Sequence, residues 1–125
     1  MLETLNAISV NWYILGAAFA FICLDFITGF AQACANHCIS SEKLREGLWH
    51  KCGFVLAIFF GVLCEWSMQF VDLGFTVPVG TCVCVYIIIA EMTSIIENLG
   101  KLSPALAASG FLKFFPKHNV EDDEK

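Results

Sequence analysis

No lysine or arginine precedes Lys43, and none falls between Lys51 and Lys101. The first gap excludes the basic leader of a cleavable signal peptide, so the first apolar run is read as a retained span. No CxxC pair occurs among the seven cysteines, which are odd in number and lie mostly inside apolar runs. That excludes a secreted disulfide framework and the common zinc modules. Cys34, His37, Cys38, His50 and Cys52 are the nearest approach to a metal set, and their spacing fits none. There is no glycine-rich phosphate loop, and His37, His50 and His118 stand apart from any Ser or Cys nucleophile motif. An enzyme is therefore not expected, and neither is a cofactor. The formal charge of −5 is a poor guide to partners, because much of it sits in the acidic run 121–124. Nothing points to nucleic acid.

What the chain has is apolar length. Of 125 residues, 58% are hydrophobic, and the mean hydropathy is +0.71. Three runs, 12–35, 52–71 and 77–96, each approach the roughly 20 residues that a helix needs to cross a bilayer. The basic residues Lys43, Arg45 and Lys51 lie between the first and second runs. Lys101, Lys113, Lys117 and Lys125 follow the third. If each run crosses once, all seven fall on one face, which the positive-inside rule places in the cytoplasm. The expected architecture is an all-α membrane protein with three transmembrane helices, its amino terminus outside and its carboxyl terminus cytoplasmic. A single membrane domain covers 1–116.

Local signals mark the connections. Ser40 or Ser41 is placed to cap the second helix, with Glu42 in its first turn. Asp72 and Gly74 predict a tight turn, and Pro78 opens the third span. Gly100 is expected to stop that span. Ser103 and Pro104 then predict an N-cap and first-turn proline for a short interfacial helix over about 104–115. The acidic tail 117–125 is expected to be disordered.

Carboxylates inside the runs are the candidate functional groups. A charged group at the bilayer centre costs about 2.5–3.5 kcal/mol on insertion scales and usually faces protein or water. Asp25, Thr28, Gly29, Gln32 and Asn36 form one helical stripe, and Glu91, Ser94, Asn98 and Lys101 form another. Glu65 lies nearer the outer end of the second span. Gly53, Ala57 and Gly61 precede it at four-residue intervals, a small-residue row for close helix packing, with Gly29 in the same role on the first span. No basic residue is expected at the depth of any carboxylate. Protonation, hydrogen bonding or water between copies would then have to satisfy them. Two readings stay open: the stripes glue helices together, or they line a hydrated oligomer lumen.

Several stretches carry a family resemblance. They are 25–29 with Asp25, Thr28 and Gly29, then 40–48 with Ser40, Lys43, Arg45 and Gly47 followed by Lys51, and 91–98 with Glu91, Ser94 and Asn98, followed by Gly100 and Pro104. In this order the chain resembles the toxin-secretion and phage-lysis holin family of bacteriophages of Gram-positive hosts, over about residues 12–115. The resemblance implies a non-enzymatic membrane protein that forms homo-oligomers in the host cytoplasmic membrane. It implies lesions that release or activate an endolysin, or export a toxin. Ser103 stands where that family has glycine. A small proton-coupled multi-span transporter and an accessory membrane subunit are the alternatives.

Overall fold

The computed structural model describes residues 11–110. They form helix α1 (Trp12–Ala35), helix α2 (Ser41–Ser67) continued by a 3-10 turn (Met68–Phe70), helix α3 (Val79–Leu102) and a short helix α4 (Pro104–Ala108). The first three are each long and apolar enough to cross a membrane. The chain is thus a membrane protein that, among the described residues, is all-α with three such helices and a short fourth. The rest of the expected interfacial helix, 111–115, and the tail 117–125 lie outside the described residues.

Each boundary has a local cause. The Asn11 side chain accepts from the N–H groups of Tyr13 and Ile14 and so opens α1. That helix ends with His37 in the left-handed region, φ 52°. The Cys38 N–H then bonds back to the Ala33 carbonyl and His37 to Cys34, which satisfies two carbonyls left over by the helix. Ser40 caps α2 through Lys43 N–H, with Glu42 in the first turn. In the opposite turn, Gly74 (φ 70°) donates its N–H to the Asp72 side chain at 3.0 Å. Helix α3 does not stop at Gly100. It runs on to Leu102, and Pro104 ends it by forcing Ser103 out of the helical region to φ −131°. Ser103 then caps α4, with Pro104 in its first turn.

Helix α3 is the central element. It packs along α1 on one side and α2 on the other, whereas α1 and α2 barely touch. The apolar core joins Ala18 and Ile22 of α1, Ile58 of α2, and Cys84 and Ile87 of α3. Outside this core the surface is strongly apolar. Phe26, Leu56, Phe59, Phe60, Tyr86 and Ile89 are all exposed, which suits a hydrocarbon solvent. Helices α2 and α3 approach most closely at Gly61 and Gly80. A methyl group added at Gly61 would lie 3.1 Å from the Gly80 Cα. The two glycines thus let backbone meet backbone.

Candidate functional site: a lysine between two carboxylates

The three helices carry polar residues to the same depth. Asp25 lies ten positions before the end of α1 at Ala35. Lys51 lies ten positions after the start of α2 at Ser41. Glu91 lies eleven positions before the end of α3 at Leu102. At 1.5 Å per residue each is about 15 Å in from the same end of the bundle. That end carries Lys43, Arg45 and Lys101 and is called the basic end below.

Lys51 Nζ lies 2.5 Å from Asp25 Oδ2 and 2.5 Å from Glu91 Oε1, and it also bonds Glu91 Oε2. An ammonium has three N–H donors, and all three are used. The fourth carboxylate oxygen, Asp25 Oδ1, accepts from Asn98 Nδ2 at 3.1 Å. Asn98 also reaches Thr28 Oγ1, whose own hydroxyl donates to the Asp25 carbonyl. The Glu91 side chain is 1% exposed, that of Asp25 10% and that of Lys51 12%. Among the described residues, no buried side-chain nitrogen or oxygen lacks a partner. A cation and two carboxylates taken out of water persist only when satisfied in this way.

This corrects the expectation that no basic residue stands at the depth of Asp25 and Glu91. Counting span two from Cys52 assigns Lys51 to the preceding loop. The helix begins at Ser41, and its inward face runs Gly47, Lys51, Phe54, Ile58, Gly61 and Glu65 at helical spacing. That stripe was the signal available in the sequence. Phe54 flanks the ammonium, with Lys51 Nζ 5.8 Å from its ring centre.

The other singled-out residues are distributed around this centre. Ser94 lines the clefts on both sides of it, and Gln32 lines one. Gly29 sits against Asn98, its position for a methyl 3.4 Å from Asn98 Nδ2. Asn36 closes the basic end by donating to the Lys101 carbonyl at 3.4 Å. In the small-residue row, Gly61 meets α3 and Ala57 packs on the core, but Gly53 faces open space. A four-residue step advances about 40° round the helix, so two steps carry Gly53 about 80° away from Gly61.

Glu65 occupies a separate level, toward the opposite end. Its Oε2 accepts the Gly80 N–H at 3.1 Å. Pro78 offers α3 no side-chain cap. A carboxylate on α2 therefore serves an orphan amide in the first turn of α3 and faces the positive end of its dipole. Glu65→Ala is expected to leave that buried amide unpaired and to destabilise the α2–α3 pair by about 1–3 kcal/mol, whereas Glu65→Gln keeps an acceptor. Thermal unfolding in detergent compares the two. Equal stability of Ala and Gln variants would refute the capping role.

Two clefts flank the central lysine. One, about 640 Å³, opens between α2 and α3 and is lined by His50, Phe54, Tyr86 and Glu97. The other, about 350 Å³, opens along the seam between α1 and α2. Asp25 and Lys51 line both. Among the described residues no group of three His, Cys, Asp or Glu side chains is placed to hold a metal ion.

These features define a class: a small multi-span helical membrane protein whose polar residues are sealed against one another at mid-span. The model of the bacteriophage holin family matches residues 6–108, and the chain belongs to that family. Searches of curated proteins and of solved structures returned no match.

Proposed function

We propose that this protein is a phage holin that oligomerises in the host cytoplasmic membrane and opens lesions there, releasing or activating an endolysin or exporting a toxin. The observation that carries the reading is the Lys51 centre in a chain of this family. Among the described residues, one copy leaves no buried side-chain nitrogen or oxygen unpaired, so the closed bundle is at home in lipid. The same groups lie at the bottom of two clefts and next to a seam where α1 and α2 hardly touch. Separating α1 from the α2–α3 pair exposes Asp25, Lys51 and Glu91 together. A lone helix bundle in lipid resists that strongly. Copies packed side by side share the exposed groups with water, and the bundle opens once their density is high enough. The membrane potential biases any charge movement in this step by about 2.3 kcal/mol per full charge moved per 100 mV.

Expressed with a cytoplasmic endolysin that lacks its own export signal, the protein is expected to cause abrupt lysis after a delay. Expressed alone, it is expected to halt growth and collapse the membrane potential while the walls stay intact. The buried lysine and carboxylates also suit a proton-coupled transporter. Gradual leakage from the earliest expression, independent of protein density, would favour that reading and sink the holin.

We place the amino terminus outside and the basic end in the cytoplasm, on the positions of Lys43, Arg45, Lys101 and the tail lysines. A reporter active only in the cytoplasm, fused after Lys125, is expected to be active. An active extracytoplasmic reporter at that site would overturn this orientation.

A further inference from the structure

The seam between α1 and α2 has the composition of a lipid site. Its upper part, at the basic end, is lined by Lys43 from the first turn of α2 and Lys101 from the last turn of α3, with hydroxyl and amide groups from Ser40 and Asn98. Below them, Phe26 and Phe30 of α1 line the same cleft and are each more than two-fifths exposed. Cationic groups thus stand above aromatic ones along one groove, the order in which a phospholipid presents headgroup and acyl chain.

The charges at the mouth are available. Lys101 has Glu97 at 3.9 Å, but both are well exposed, and Glu97 lines the other cleft. Such a surface pair holds its partners weakly. Lys43 has no acidic group within ion-pair distance among the described residues. The acid within the cleft is Asp25, already engaged by Lys51 and Asn98. Within the cleft, an incoming phosphate therefore meets two cations before it reaches Asp25.

We propose that this cleft binds one anionic glycerophospholipid from the leaflet at the basic end, its phosphate between Lys43 and Lys101 and an acyl chain along Phe26 and Phe30. The lipid fills the gap that α1 and α2 leave and braces the closed bundle around Lys51. The proposal rests on membrane insertion alone, and stands or falls independently of lysis.

The test uses the full chain in phosphatidylcholine bilayers that carry a trace of spin-labelled lipid. Spin-labelled phosphatidylglycerol is expected to show a motionally restricted fraction in excess of spin-labelled phosphatidylcholine. Each lysine near a headgroup contributes about fivefold to such a preference, so the double variant Lys43→Gln/Lys101→Gln is expected to lose it by on the order of tenfold or more. Both side chains are exposed, and circular dichroism checks that the helices persist. Arg45 is exposed and outside the cleft. Arg45→Gln is expected to cost clearly less of the preference than the loss of either lysine, because its charge acts only as general surface attraction and not within the cleft. An equal loss in Arg45→Gln would replace the site with general surface attraction. No preference in the parent protein would overturn the proposal outright. Displacement of the label by inorganic phosphate, where chloride of the same ionic strength has no effect, would mark a phosphate-ion site and overturn the lipid assignment.

Discussion

Replacing Lys51 with methionine is expected to bring lysis forward sharply, to the point of leakage soon after synthesis. The variant keeps the length of the side chain and removes the only cation at its level among the described residues. Asp25 and Glu91 then face each other with three carboxylate oxygens lacking their donor. Breaking a buried ion pair by removing one partner typically destabilises by about 3–5 kcal/mol. Asp25→Asn and Glu91→Gln should behave differently. Each removes one of two negative charges and leaves Lys51 with a one-to-one partner. Both variants are expected to insert, and to shift the lysis time modestly. The triple change Lys51→Met, Asp25→Asn and Glu91→Gln is expected to recover much of the delay, because neutral groups of similar shape replace the whole set. The measurement is lysis time at matched membrane levels of protein, by immunoblot of membrane fractions. If Lys51→Met delays lysis or leaves it unchanged while accumulating normally, the central lysine does not hold the bundle closed.

Gly61→Leu is expected to be a strongly damaging packing change. Its first added carbon would stand 3.1 Å from the Gly80 Cα, 3.2 Å from a Val83 methyl carbon and 3.4 Å from the Val79 carbonyl. Backbone atoms cannot rotate away, so α2 and α3 must separate at that level. Overpacking of this kind costs about 1–3 kcal/mol. Separation also draws Glu65 away from the Gly80 amide, which adds the loss of a buried hydrogen bond. Gly53→Leu is the matched control. Nothing stands within 4 Å of its added carbon, so the closed monomer should tolerate it. Thermal unfolding of the two variants in the same detergent tests this. Equal destabilisation would mean that Gly53 makes a contact in the assembled protein that a single copy does not reveal, or that the Gly61–Gly80 approach is not tight.

Much of the architecture is readable along one dimension. Apolar runs of sufficient length dictate helices in lipid, because a backbone without water must bond to itself. The caps at Ser40 and Ser103 and the turn at Asp72 and Gly74 are equally local. Each depends on a side chain reaching an amide two or three residues away. The stripes of Asp25 and Glu91 were visible because helical periodicity needs no partner to be recognised. The stop assigned to Gly100 shows the limit of such signals. Glycine permits an ending, but Pro104 imposes one, and α3 continues until it meets that constraint.

The amino-acid sequence alone determined that this chain lies in a membrane, has three long helices, and carries carboxylates where lipid would refuse them. Only the tertiary structure decided what those carboxylates face. Partnership between Asp25, Lys51 and Glu91 depends on the rotation and relative height of three separate helices, which no window along the chain records. Lys51 sits beside an apolar run, and hydropathy assigns such a residue to water. Two carboxylates on neighbouring helices draw it inward instead, because a cation beside opposite charge and with all its donors filled is more stable there than the same carboxylates left alone.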